Sequence, residues 1–272
     1  MKRQRLNWQE KVRKNVRKIM DFEHVKAVFE EYLNGYDREN DKVKLKIVHT
    51  YGVIRCSEEI GQRMGLQAED MELAKLIALL HDIGRFEQLK RFNSFEADTM
   101  DHATYGVKVL FEEGMIRQFI EEDIWDDVIR TAIAKHSDYE LTGITDERTL
   151  LHARLIRDAD KLDNCRVKLE DAMETLLDLS ADEVGKYAIS PKVREDAFAG
   201  KCICSKDRRT PMDYWVSYVA YFYDLNFQET LDIVAEEQYV KRIIGRVPYT
   251  NEQTKKTMEE LERQLTEYAR RK

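Results

Sequence analysis

The sequence predicts an all-α fold, a compact multi-helix bundle with a helical extension at its C-terminal end. Three observations carry that expectation. Only 3 prolines and 11 glycines interrupt 272 residues, which favours long helices over a turn-rich β fold. Apolar residues recur at helical spacing, as in Leu73, Leu76, Ile77 and Leu80, which fall at i, i+3, i+4 and i+7. Caps punctuate the pattern. Gly65 and Gly114 stand where a left-handed C-terminal cap is wanted, and Ser190-Pro191 and Thr210-Pro211 pair an N-cap hydroxyl with proline at the first helical position.

Taken in order, the spacing predicts helices over about 6–20, 22–33, 41–64, 69–83, 101–113, 121–136, 146–170, 191–199, 211–224, 228–244 and 251–271. Residues 84–100 lack a helical period and read as a loop. The reading is weakest over 171–210, where a boundary between a core and a C-terminal helical region is expected. The expected organisation is therefore N-terminal helices over 1–40, a core over 41–170 and a C-terminal extension over 171–272. The strongly charged closing helix is open to packing on a neighbouring element or on a second subunit.

Composition narrows the function. The net charge of −7 argues against a general nucleic-acid-binding surface. Charge is uneven, because residues 1–20 carry eight Lys/Arg against Glu10 alone. That basic arm reads as a surface helix with a solvated face, packed through Leu6, Val12, Val16 and Ile19. No run approaches the roughly 20 apolar residues of a membrane span, and the N-terminus lacks an apolar signal core. Four cysteines (Cys56, Cys165, Cys202, Cys204) are too few for a disulfide scaffold, so free thiols in a reducing cytoplasm are expected.

Histidine placement carries the chemistry. His49 lies on the stripe Leu45, Val53, Cys56, Ile60; His81 follows Ile77 by four; His102 precedes Tyr105, Gly106 and Val109; His136 follows Ile129, Ala132 and Ile133. Each faces the inside of its helix. Asp82 sits beside His81, and a further helix brings Asp158, Asp160 and Asp163. One inward histidine is an ordinary core residue. Four of them with buried carboxylates call for a metal, because such carboxylates are costly unless paired or metal-bound. Imidazole with carboxylate suits Fe, Mn, Co, Ni or Zn, and the lack of cysteine in the set disfavours a structural zinc site.

His49, His81-Asp82 and Asp160, embedded in LIALLHDIGRF and IRDADKLDN, resemble the HD superfamily of metal-dependent phosphohydrolases over roughly residues 41–170. HDIGRFEQLKRFNSF followed by DHATYGV is similar to a bacterial subgroup of HD-domain proteins. The resemblance implies an HD-type helical bundle in which His49, His81, Asp82 and Asp160 hold one ion, with Asp163 as the alternative to Asp160. It further implies a second ion held by His102 and His136 and bridged by Asp82. In a one-ion site those two histidines would instead contact substrate or act as acid/base groups. Arg85, Lys90 and Arg91 follow the HD pair and suit phosphate recognition.

The activity so implied is hydrolysis of a phosphate ester, on a nucleotide or another small phosphorylated metabolite, by a metal-activated hydroxide. Asp82 and Asp160 act at the metals, and Arg85 holds a non-bridging oxygen. His136 is followed by Ser137-Asp138, without the His-His-Glu or Gly-Tyr-Pro signatures, which turns the expectation away from cyclic-di-GMP. Gly84-Arg85-Phe86 after the HD pair turns it away from deoxynucleoside triphosphates. Two other readings share the pattern: a di-iron oxygenase of the same superfamily, and a non-catalytic nucleotide-binding module. His24 and His152 have no place in it. The aromatic run Tyr214, Trp215, Tyr218, Tyr221, Phe222, Tyr223 reads as core and helix interface.

Overall fold

A computed structural model describes residues 20–96 and 98–271 of the chain. Apart from Met20, the expected helix over 6–20 and its basic arm lie outside the described residues. Among these residues the structure is helical, with no strand and no helix long and apolar enough to cross a membrane. The chain divides into two compact units, one up to Ala159 and one from Asp160.

The first unit opens with α1 (Phe22–Leu33) and α2 (Asp41–Met64). Asp21 caps α1 by accepting from the Glu23 amide, and Asn40 caps α2 by accepting from Lys42 and Val43. Gly65 ends α2 in the left-handed conformation at φ 71°, as its position in the sequence predicts. A short turn leads into α3 (Ala68–Leu80), whose Leu73, Leu76, Ile77 and Leu80 are all buried. Phe29, Val53, Ile60 and Phe86 are buried as well.

Beyond α3 the structure corrects the expected loop. Residues Ile83–Phe92 form a helix, α4, separated from α3 only by the turn at His81 and Asp82. Its buried face mixes Ile83, Phe86 and Leu89 with Gly84 and Gln88, which dilutes the apolar period. The Gln88 amide earns its burial by donating to Glu96 O and Thr99 Oγ1, both at 2.8 Å, and so ties down the segment after α4. Next come α5 (His102–Val107), a π-helical turn over Lys108–Glu112, α6 (Ile116–Phe119) and α7 (Asp126–Lys135). The long α8 (Glu147–Glu170) follows, and the division between the units falls within it.

Two glycines set the approach of α4 to α5. A Cβ on Gly84 would lie 2.2 Å from His102 O and 2.7 Å from the Gly106 amide nitrogen. The backbones touch there, and this contact brings the start of α5 to the start of α4.

The second unit continues with α9 (Met173–Leu177), α10 (Ala181–Val184), α11 (Pro191–Phe198), α12 (Pro211–Ala220), α13 (Gln228–Glu236), α14 (Tyr239–Ile244) and α15 (Glu252–Arg271). Thr210 forms a capping box with Asp213 at the head of α12, as the Thr-Pro pair suggests. Ser190 differs: its hydroxyl donates to Asp213 Oδ2 at 2.6 Å and leaves the α11 amides alone. The expected single helix over 228–244 is broken at Gln238, which is left-handed at φ 53°. Trp215 and Phe222 are buried, so these two members of the aromatic run belong to the core. The cysteines are all free thiols.

Two predictions follow from this packing. Gly84→Ala must push apart two backbones rather than two flexible side chains. It should cost about 2 kcal/mol or more of stability by denaturant unfolding. Asp70, on α3, accepts from His152 Nε2 at 3.1 Å and from Arg148 Nε at 2.7 Å. The His152 hydrogen bond and Arg148 outweigh partial burial and hold the Asp70 carboxyl below its ordinary range. A depressed carboxyl contributes stability above its unfolded pKa of about 3.9 and loses it as pH falls. Asp70→Asn should therefore be less stable than wild type at neutral pH, and the gap should close below about pH 4.

Candidate metal centre

Each predicted ligand owes its place to a helix end or an apolar stripe. His49 lies mid-α2, fully buried with Val53 and Ile60. His81 continues α3 by one residue, and its Nδ1 donates to Ala78 O at 2.8 Å. Asp82 leaves the helix at φ −104° and ψ 17°, which turns the chain into α4. His102 is the first residue of α5, whose N-cap Asp101 accepts from the Thr104 amide. His136 stands just past α7 and donates from Nδ1 to Ile133 O at 2.7 Å. Asp160 rides on α8.

These six residues form two groups. His49, His81 and Asp160 make one, and Asp82, His102 and His136 make the other, with ligand atoms within 4.8 Å of one another in each group. The groups adjoin through their rings. The centroids of His49 and His81 are 5.7 Å apart, those of His81 and His136 5.3 Å, and those of His102 and His136 5.0 Å. Asp82 faces both. Its Oδ2 lies 3.5 Å from His81 Nε2, and its Oδ1 lies 3.2 Å from His102 Nε2 and 3.6 Å from His136 Nε2.

The donor set fits a divalent cation. His81 and His136 each use Nδ1 as the donor to a carbonyl, so Nε2 carries the lone pair. His102 Nε2 accepts from Arg85 Nη2 at 2.9 Å, so it too presents a lone pair. Yet His102 Nε2 and His136 Nε2 are only 3.1 Å apart. Lone pairs converging on each other and on a carboxylate are held together well by a shared cation. Burial, with Arg85 close by, pushes the His102 imidazole down to about 3, which keeps it neutral and able to ligate. Burial opposes ionisation of Asp82, but Lys46, His81, His102 and His136 outweigh it and hold that carboxyl well below its ordinary range.

Other predicted residues fall in different places. Asp163 is buried in a bidentate pair with Arg166, both contacts at 2.9 Å, and stands outside the two groups. Arg85 reaches the centre, with Nη1 on Gln88 Oε1 at 2.5 Å and Phe95 O at 3.2 Å, and Nε 3.8 Å from Asp82 Oδ1. Lys90 and Arg91 sit at the far end of α4, one or two turns on. Lys90 donates to Gly35 O at 3.3 Å, and Arg91 pairs with Glu87 at 2.6 Å. His24 Nε2 donates to Gln118 O at 2.8 Å.

Sequence reasoning missed Lys46. Its ammonium lies 2.6 Å from Asp82 Oδ2 and is mostly buried. It stands three residues before His49 on the same face of α2, so helical spacing from an inward histidine was the available signal.

Two His/Asp groups with one carboxylate facing both make a donor set for divalent cations. Residues 47–165 match the family model of the HD domain. The matched segment spans all six residues of the two groups, from His49 to Asp160. No curated protein and no solved structure matches the chain.

His81→Ala and Asp82→Ala each remove a ligand from the centre. Both variants should keep their helix content by circular dichroism and bind less metal than wild type by elemental analysis, Asp82→Ala losing more because that carboxylate faces both groups. Full metal content in either would show that the ions sit elsewhere.

Proposed function

We propose that this protein hydrolyses a phosphate ester of a nucleotide or another small phosphorylated metabolite, with one ion at His49, His81 and Asp160 and a second at His102 and His136, Asp82 facing both. The observation that carries the reading is the double exposure of Asp82, one oxygen towards each group, with two further cations beside it. Two divalent ions, when bound, supply a nucleophile at neutral pH and neutralise phosphoryl charge.

The chain's own residues do the rest. Arg85 is anchored by Gln88 and the Phe95 carbonyl, so its guanidinium is held in place before substrate arrives. From there it can offer charge-assisted hydrogen bonds to a non-bridging phosphoryl oxygen. Asp160 can orient the attacking water through a carboxylate oxygen. Lys90 and Arg91 come within reach only of a substrate long enough to run along α4.

The cations also weigh between chemistries. Arg85 and Lys46 flanking the centre suit an anionic substrate better than a neutral one. Arg85→Ala should retain its metal and lower kcat/KM towards phosphate esters about a hundredfold, equivalent to roughly 3 kcal/mol of transition-state stabilisation. Arg85→Lys should recover only part, because it keeps the charge and loses the fork. A phosphate-release assay over a panel of phosphorylated metabolites, run beside metal analysis, checks both. An alanine variant within a few-fold of wild type would leave the centre without its phosphate anchor. Substrate-dependent O₂ uptake would then be the assay to run.

A further inference from the structure

We infer that α8 sets the position of both ions through two residues that ligate neither, Arg157 acting on His136 and Asn164 acting on Asp160. The inference rests on the two-ion reading above and extends it to residues outside the ligand set.

Arg157 is buried, with 2% of its surface exposed. Its Nη1 donates to three backbone carbonyls of one turn, Lys135 O at 3.1 Å, His136 O at 3.2 Å and Asp138 O at 2.6 Å. These carbonyls form the turn that ends α7. A helix leaves its last carbonyls without amide partners, and its C-terminus favours a cation. Arg157 meets both needs, and it does so at the residue that carries the ligand. The His136 ring is then fixed from two sides, by the turn under it and by its own Nδ1 bond to Ile133 O.

Asn164 makes the matching contact one turn beyond Asp160. Its Nδ2 donates to Asp160 Oδ1 at 2.8 Å and to Asp160 O at 2.9 Å. Its own Oδ1 accepts from Lys168 Nζ at 3.1 Å, and that ammonium lies 4.2 Å from the centre of the Tyr218 ring. The amide is therefore held in one orientation, with its donors on Asp160. Pinning one oxygen of a carboxylate fixes the direction of the other. Groups that orient a metal ligand commonly change metal affinity by about 10- to 100-fold when removed.

Arg157 and Asp160 are three residues apart on one helix, about 4.5 Å of rise. One helix thus carries a ligand of one ion and the clamp on a ligand of the other. The two positioning residues should thus act selectively, each on its own ion.

Mn²⁺ titration of the full-length protein tests this, read by elemental analysis and by the electron paramagnetic resonance signal of coupled against isolated Mn²⁺. Wild type should bind about two ions with a coupled signal. Arg157→Met should need at least about tenfold more Mn²⁺ to reach the coupled state, with Arg157→Lys between it and wild type. Asn164→Ala should show a shift of similar size. The ligand variants His136→Ala and His49→Ala, each expected to retain one ion, then assign the effects. Arg157→Met added to His136→Ala should leave the remaining affinity unchanged, and added to His49→Ala it should weaken the remaining ion about as much as it weakens the pair. Asn164→Ala should do the reverse. If Arg157→Met does not fold, Arg157→Lys in the same cycle decides. Equal weakening in both backgrounds, or none in either, overturns the inference while leaving the two-ion reading in place. A wild type that saturates at one ion overturns both.

Discussion

The burial of one carboxylate governs this fold. Asp82 is 3% exposed, and an ionised carboxylate taken out of water costs several kcal/mol unless charges and hydrogen-bond donors replace the lost hydration. Asp82 stands at the junction of two helices and caps neither with its side chain, and its local partners are only His81 and Arg85. The other partners come from three distant places: Lys46 from α2, His102 from the head of α5 and His136 from the end of α7. Packing that brings these helices to one point serves Asp82 as much as the apolar core. The Gly84–Gly106 contact is the clearest instance, since it allows α5 to approach closely enough for His102 to reach the carboxylate.

What the sequence revealed of the fold depended on whether burial and polarity ran together. Where they did, helix limits were legible to the residue, as for Phe22–Leu33 and Asp41–Met64, because stripe and caps agreed. They parted company in α4. A buried Gly84 and a buried Gln88 broke the apolar period, and the helix read as a loop. In 228–244 the stripe was continuous, but Gln238 adopts a left-handed conformation that neither glycine nor proline announced. Local residue types carry no signal for such a break, which is set by how α13 and α14 pack.

The centre followed the same logic. Histidines on apolar faces stand out because imidazole is neither a good core residue nor a typical surface one, and all four fell into the two groups. Among the three aspartates of IRDADKLDN, spacing alone could not choose. The structure separates them by what each one faces, with Asp160 towards the histidines and Asp163 towards Arg166. Lysine and arginine behaved differently. By composition they read as solvated, so Lys46 was passed over despite its spacing from His49 and Arg157 gave no signal, although one is paired with Asp82 and the other is buried against three carbonyls. Long cationic side chains snorkel, and which way they do so is settled only by tertiary packing.

Charge at the centre constrains what it can accept. Asp82 and Asp160 contribute two negative charges, and Lys46 and Arg85 contribute two positive ones, so these four groups alone are balanced. Imidazole ligates as the neutral ring and alters nothing. Two divalent ions would add four positive charges to a place where solvent cannot screen them well, and the ion's own charge has to enter the account. A neutral substrate would leave most of that excess standing. A phosphate monoester brings two negative charges, and an anionic nucleophile brings a third, so each step towards reaction lowers the excess. The Lys46 and Arg85 pairs with Asp82 matter most here, because without those cations the two carboxylates would already cancel half the charge of the ions. By keeping both, the chain would hold a centre loaded with two ions electropositive, a condition that favours an anionic substrate over a neutral one.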